Sequence, residues 1–344
     1  MKSRKHIVPI FIPHKGCPHD CVFCNQKKIS GHEEPPSEQE VIATIERHLS
    51  TNSAQEFEIA FYGGSFTGIS LKEQEMYLNI ADSYRKTYEN LNINIRASTR
   101  PDCINNEVIN LLLKYRVDLI ELGVQSMNDK VLSISNRGHT SNDVYTAVSM
   151  LENAGIAVGI QTMIGLPGDC GESAVETARK VVLLKPLVVR IYPTLVIKDT
   201  ALCEMYRNRE YTPLTISEAV ELAAVLTDIY EEADINVIRV GLQPTDNVRL
   251  AEGGSEGDVV AGPFHPAFRQ LVQSERVYKR IMKALNASAE SMANLCIETE
   301  EDVERKIIYV KPDKYSISDI LGQRRSNVTR IREETGYTIK VLLS

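Results

Sequence analysis

Ile7-Val8-Pro9-Ile10-Phe11-Ile12 is an almost unbroken apolar run, and a few residues later the chain reads Gly16-Cys17-Pro18-His19-Asp20-Cys21-Val22-Phe23-Cys24-Asn25. A short apolar run that ends in a polar, turn-rich loop reads as a buried strand with that loop at its C-terminal end. The same pairing recurs downstream. β-rich runs stand at Glu56–Tyr62, Asn92–Ala97, Leu119–Val124, Val158–Ile164, Val188–Tyr192 and Ile235–Val240. Most are close to continuously apolar, as expected of parallel strands covered on the outside by helices.

Amphipathic stretches separate these runs. Ser37 and Glu40 form a capping-box pair that opens a helix running to about Leu49. Further helices are expected near Leu71–Tyr88, Asn105–Lys114, Ser141–Asn153, Gly171–Leu184 and Ser217–Ala233, with Gly155 as a C-terminal cap of the fourth. Six or seven successive β/α units define the fold class as α/β, a partial or near-complete (β/α) barrel of TIM type. In such barrels the loops at the C-terminal ends of the strands carry the chemistry. After about Pro244 the periodicity stops. Ala251–Gly262 reads as a glycine- and acid-rich loop, Ala267–Ala287 as a helix, and the last forty residues as a small strand–helix–strand unit. The expected division is a barrel over 1–244, an extension over 245–304 and an α+β module over 305–344.

Composition bounds the possibilities. The chain has 344 residues, 43% hydrophobic and 25% charged, which excludes a disordered or collagen-like polymer. No apolar run is long enough to span a membrane. The N-terminus, interrupted by Pro9 and Pro13, reads as a first strand and not a secretion signal, so a cytoplasmic protein is expected. A net charge of −7 argues against nonspecific coating of nucleic acid. Beyond Glu304 the balance reverses, because arginines and lysines outnumber the acids there, as in an appended module with its own partner.

Seven cysteines without a secretory leader do not make a disulfide scaffold. Cys103, Cys170, Cys203 and Cys296 are scattered and read as small buried hydrophobes. Cys17, Cys21 and Cys24 are crowded, and thiolates at spacing C-x3-C-x2-C can converge on one soft metal centre. Zinc in a structural site would need a fourth ligand, such as His14 or His19. An iron–sulfur cube would keep one iron open for an exogenous ligand.

The loop, with Phe23 just before its last cysteine, resembles that of the radical S-adenosylmethionine (SAM) superfamily. The resemblance implies that Cys17, Cys21 and Cys24 hold a [4Fe-4S] cluster whose fourth iron is chelated by S-adenosyl-L-methionine. Reduction would then yield methionine and a 5′-deoxyadenosyl radical that abstracts a substrate hydrogen. Tyr62-Gly63-Gly64-Ser65-Phe66-Thr67 is similar to the Gly-Gly motif that binds the SAM amino group, and assigns cofactor contacts to Gly63, Gly64 and Ser65. Ser98-Thr99-Arg100-Pro101-Asp102 adds Ser98, where relatives often carry glutamate, and Arg100. Gln125 and Arg137 have the spacing of SAM contacts in enzymes similar to oxygen-independent coproporphyrinogen oxidase. Gly159-Ile160-Gln161-Thr162-Met163-Ile164-Gly165 resembles the motif that packs against adenine, with Gln161 and Gly165 as contacts.

Within the superfamily, Cys17–Cys24, Gly63–Thr67, Thr99–Asp102 and Arg190–Ile197 together resemble the radical SAM half of the Elongator catalytic subunit. That resemblance implies modification of a transfer-RNA wobble uridine with a group derived from acetyl-CoA; the chain is expected to lack the acetyltransferase domain. A one-electron donor such as flavodoxin or ferredoxin is implied as a partner, alongside an RNA (tRNA) substrate. The tail around Gly322-Gln323-Arg324-Arg325 resembles a KH RNA-binding module, with Arg325 where the second loop glycine usually stands. Tyr192, His265 and Arg269 are candidates for the substrate mouth. Two other functions compete: a radical SAM enzyme for a small molecule such as a tetrapyrrole, and a noncatalytic RNA-binding protein with structural zinc.

Overall fold

The computed structural model describes residues 5–12, 17, 19–25, 34–242, 257–285, 299–302, 306–310 and 315–342. The boundary expected at Pro244, Cys296 and residues 251–256 of the expected loop lie outside them.

Seven strands form one parallel sheet: β1 (Lys5–Ile12), β2 (Glu56–Gly63), β3 (Asn92–Thr99), β4 (Leu119–Gln125), β5 (Ala157–Ile164), β6 (Val188–Pro193) and β8 (Asn236–Val240), adjacent in that order. Between them run α1 (Glu38–Thr51), α2 (Leu71–Thr87), α3 (Asn106–Lys114), α4 (Asp129–Ile134), α5 (Ser141–Asn153), α6 (Gly171–Leu183), α7 (Ala201–Arg207) and α8 (Ile216–Glu232). The capping box at Ser37 and Glu40 opens α1, and Gly155 follows α5 at φ +70°.

Side chains alternate across each strand. On β2, Phe57, Ile59 and Phe61 join the core shared with the helices, where Ile45, Leu78, Leu112 and Ala178 also pack. Glu58 and Tyr62 therefore face the other way. If the sheet were flat, β6 would stand about 19 Å from β2, four strand spacings away. Instead Arg190 of β6 lies 3.3 Å from the Tyr62 hydroxyl. The sheet is curled around that second face, with β1 and β8 as its two edges, so the barrel is partial.

Two helices and one strand pair depart from the expected pattern. The short α4 and α7 have too few turns to show a 3.6-residue period. Val259–Ala261, expected in a loop, is a strand (β9) paired antiparallel with β7 (Val196–Ile197). Three residues are too few for an alternation to be seen in sequence.

Beyond β9, α9 (Phe268–Leu285) leads to a second sheet of β10 (Thr299–Asp302), β11 (Ile307–Val310) and β12 (Thr338–Val341), in that order. β11 and β12 are parallel and are joined by two helices, α10 (Ile317–Leu321) and α11 (Ser326–Thr335), where a single helix was expected. The break falls at Gly322, φ +75°, followed by Arg324 and Arg325 at φ +53° and +63°.

Candidate functional site

The cysteine loop lies over the C-terminal ends of the strands, held by neighbours distant in sequence. Val22 N–H donates to Ser135 O at 3.1 Å, Leu202 N–H donates to Val22 O at 2.7 Å, and the Asn136 amide donates to Asp20 O at 2.8 Å. Val22 and Phe23 pack against Val196, Leu202, Cys203 and Tyr211. So α4, α7 and the β7–β9 pair, the elements least visible in sequence, are the ones that seat the loop.

Gly63 (φ +115°) turns the end of β2 onto β1: a Cβ there would lie 2.6 Å from Ile12 O, and Gly64 N–H donates to that same oxygen at 2.9 Å. Ser65 Oγ lies 2.7 Å from Thr99 Oγ1 and accepts from Arg100 N–H at 3.2 Å, which ties the β2 and β3 loops together. Arg100, fully buried, makes a two-pronged pair with Asp102 at 3.0 and 2.9 Å and donates to Arg137 O at 2.6 Å. Arg137 in turn donates to Cys21 Sγ at 3.2 Å and to Gly123 O at 2.6 Å. A Cβ at Gly123 would stand 2.8 Å from the Arg137 guanidinium and 3.1 Å from the Gln125 amide, so any larger residue would push both side chains out of place.

Electrostatics sharpen this centre. Burial pushes the Cys17 thiol up, against the pull of Arg137 and Arg100 towards the thiolate. Burial, with Arg137 beside it, lowers His139 to about 4, so the ring is neutral at ordinary pH. Its Nε2 lies 3.2 Å from Val124 O, which fixes Nδ1 as the bare acceptor. Four buried polar atoms here lack a partner among the described residues: the donors Arg100 Nη1 and Arg137 Nε, and the acceptors Gln125 Oε1 and His139 Nδ1. Orphaned groups of this kind are rare in folded proteins and call for a ligand or water. Two donors and two acceptors suit a zwitterion, whose carboxylate accepts and whose ammonium donates. Three nearby thiols supply soft donors for iron. The residues present therefore fit a cluster and an amino-acid-bearing cofactor. Among the described residues no three His, Cys, Asp or Glu side chains are gathered around a single-ion position.

Ser98 and Gln161 are not in this group. They face the interior of the curled sheet, bonded to each other at 3.3 Å, with the Gln161 amide also donating to Glu121 at 3.2 Å. Gly165 (φ +73°) lies apart, its carbonyl accepting from Tyr211 OH at 2.6 Å. Of the candidates for the substrate mouth, Tyr192 faces the interior beside Arg190, whereas Arg269 donates to the Ile238 carbonyl on edge strand β8.

The sequence motifs assign no role to a row of charges crossing that interior, buried in every member but the exposed Lys5. Lys5 pairs with Glu58 at 2.6 Å, Glu58 with Arg96 at 2.5 Å, Arg96 with Glu121, and Glu121 with Arg190 at 2.5 Å. One side chain from each of five strands forms a ladder. Its only sequence signal is a charge at alternate positions within apolar runs.

A three-cysteine loop after the first strand of an open parallel barrel, with orphaned donors and acceptors on the next strands, fits a radical SAM enzyme. Two family models agree: one described as the radical SAM superfamily matches residues 11–181, and one for the radical SAM C-terminal domain matches residues 186–278. The chain belongs to the radical SAM superfamily, and its cofactors are a [4Fe-4S] cluster and S-adenosyl-L-methionine. An uncharacterized protein of Methanocaldococcus jannaschii is 33% identical over 221 residues, covering 60% of this chain and 66% of that one. The tRNA uridine(34) acetyltransferase of the same organism is 27% identical over 263 residues, covering 65% and 48%. Bovine Elongator complex protein 3 is 26% identical, covering 62% and 47%. The chain thus spans about half the length of these last two relatives. A solved structure of archaeal Elp3 from Methanocaldococcus infernus superposes with a TM-score of 0.62 at 20% identity, over 99% of this chain and 94% of that one, so the two share a fold. Among the described residues no helix is long and apolar enough to cross a membrane.

Proposed function

We propose that this chain modifies a base of transfer RNA by radical SAM chemistry. The observation that carries the reading is its similarity, over most of the barrel, to tRNA uridine(34) acetyltransferases. The enzyme acts in the cytoplasm and takes its electron from a flavodoxin- or ferredoxin-type donor. Residues 1–244 form the radical-generating barrel, 245–304 its extension and 305–344 the module that meets RNA.

Cys17, Cys21 and Cys24 hold the cluster. Bound there, the cluster and SAM would supply one-electron reductive cleavage of the sulfonium and, from it, hydrogen-abstracting power. The chain's own side chains bind and orient the cofactor. Arg137 and Arg100 face its carboxylate, for which a planar guanidinium is suited. Gln125 and the Gly63-Gly64-Ser65 turn accept and surround its ammonium, Ser98 meets the ribose or the amino group, and the segment from Gln161 to Gly165 packs near adenine. In the tail, Arg324 and Arg325 precede α11 in left-handed conformations that cost a non-glycine residue about 1–2 kcal/mol each. Both side chains are exposed, free to meet phosphate.

Anaerobically reconstituted protein should bind about four irons and form deoxyadenosine with dithionite and SAM. Cys21→Ala should lose both while keeping the barrel; Arg137→Ala should keep iron and weaken SAM binding. The RNA reading is tested by nucleoside mass spectrometry of tRNA from a deletion strain, and by filter binding of Arg324→Ala/Arg325→Ala. A deletion strain with an unchanged nucleoside profile, or a double variant with unchanged tRNA affinity and salt dependence, would count against it.

A further inference from the structure

Tyr62 and Tyr192 stand at the penultimate positions of β2 and β6, both half-buried on the concave face of the sheet. Tyr192 stands one same-face position beyond Arg190 of the ladder, and Tyr62 stands two beyond Glu58, next to the Gly63-Gly64 turn. Arg190 joins them: Nη2 lies 3.3 Å from the Tyr62 oxygen and Nη1 3.4 Å from the Tyr192 oxygen, while Nε and Nη2 hold Glu121 at 2.5 and 3.0 Å. A guanidinium has no lone pair to offer, so in both contacts the phenol oxygen must accept. Each phenol is left with its own proton to donate, and among the described residues neither has an acceptor for it. Arg190 thus converts two ambivalent hydroxyls into two donors that open onto the barrel interior. Phe11, 6.0 Å from the Tyr62 ring, adds an apolar wall beside them.

We propose that Tyr62 and Tyr192 are specificity-determining substrate contacts, a pair of donors that selects a base edge bearing carbonyl oxygens over one bearing an exocyclic amino group. The inference rests on the reading that an RNA base is the substrate and deepens it by naming the residues that read its edge. A carbonyl accepts the free phenol proton directly. An amino group would meet the phenol protons donor against donor, and each oxygen it would have to reach already accepts from Arg190. A buried site built to hydrogen-bond one partner rejects the analogue that leaves its groups unpaired. Arg190 is the positioning residue, since it reaches the substrate only through the phenols.

The test uses the full chain, reconstituted with cluster and SAM under anaerobic conditions, with UMP and CMP as probes in equilibrium dialysis and saturation-transfer NMR. The wild type is expected to hold UMP about tenfold more tightly than CMP. In Tyr62→Phe/Tyr192→Phe that preference falls to within about twofold, with iron content and reductive SAM cleavage retained. Arg190→Lys keeps a charge for Glu121 but not the fork that reaches both oxygens, so it also loses preference without losing iron. Equal binding of the two nucleotides by the wild type, no binding of either, or a preference that survives the double substitution would each overturn the proposal. If tRNA still binds and its nucleosides change in a deletion strain, only the phenol assignment has failed. If neither holds, the RNA reading has failed with it.

Discussion

Glu121 is wholly buried, and burial alone would push its carboxyl upward, but Arg190 and Arg96 outweigh that and hold it below the ordinary carboxylate range. A group whose pKa is lowered by folding contributes stability above its unfolded value and loses it as pH falls through the folded one. Glu121→Gln leaves Arg190 without its carboxylate and Arg96 with Glu58 alone, and urea unfolding at neutral pH should show a loss of about 3–5 kcal/mol. His139 works in the same direction for the opposite reason. Its folded pKa of about 4 lies below the ordinary 6.5, so between these values the unfolded chain takes up a proton that the folded chain refuses. Acidification from pH 6.5 to pH 4 should cost about 3 kcal/mol through this one ring. His139→Gln preserves a donor toward Val124 O and should flatten the difference in urea midpoints across that window. That Cys21, Arg137, Arg100 and Ser65 come together could be expected from the chain because their motifs are short and stand at strand ends. The partners of Glu121 could not, since which arginine reaches which carboxylate depends on the curl that carries β6 across to β2.

Elements that are long and periodic were legible, and those that are short were not. All seven strands of the main sheet have the residues expected of them to within one or two positions at either end, because continuous apolar runs bounded by turns leave little choice. The helices α4 and α7, of six and seven residues, escaped notice, yet they hold the cysteine loop. Asn136 follows α4 at φ +50° and reaches Asp20 O with its side chain. Asn136→Gly tolerates the backbone and removes the bond, so the fold should lose only about 1 kcal/mol. Iron content after a fixed reconstitution time should nonetheless drop, because the loop is no longer fixed from that side; unchanged iron uptake would show that α7 suffices. The α10–α11 break carries strain of its own. Arg325→Gly relieves a left-handed arginine and should raise the stability of the tail by about 1 kcal/mol, read as a later unfolding midpoint.

At the level of the whole molecule, α9 belongs to two cores at once. One side meets the barrel: Arg276, 1% exposed, is bonded to Asp228 and Glu231 of α8 at 2.8 and 2.5 Å. The other side supplies Val277, Tyr278 and Ile281 to the core that Ile308, Ile320, Ile331 and Ile339 complete. Arg330 lies 3.6 Å above the Tyr278 ring and pairs with Glu275 at 2.7 Å, so the contact is polar at its rim as well. Charge composition marked the segment beyond Glu304 as a module, but it could not show that the module borrows its core from a helix that precedes it. The amphipathic pattern of α9 marks it as a helix with one apolar side, but a stripe does not say which body covers it. A chain ended at Glu304 should therefore not behave as a clean barrel. It would expose the apolar face of α9, and hydrogen exchange should rise across residues 274–285 while β3 and β4, in the centre of the main sheet, stay protected. Unaltered protection of that helix would mean the barrel alone holds it, and that the tail is an independent body. The double substitution at Arg324 and Arg325 changes the exposed loop and spares this shared core, so it separates lost RNA contact from lost folding where truncation cannot.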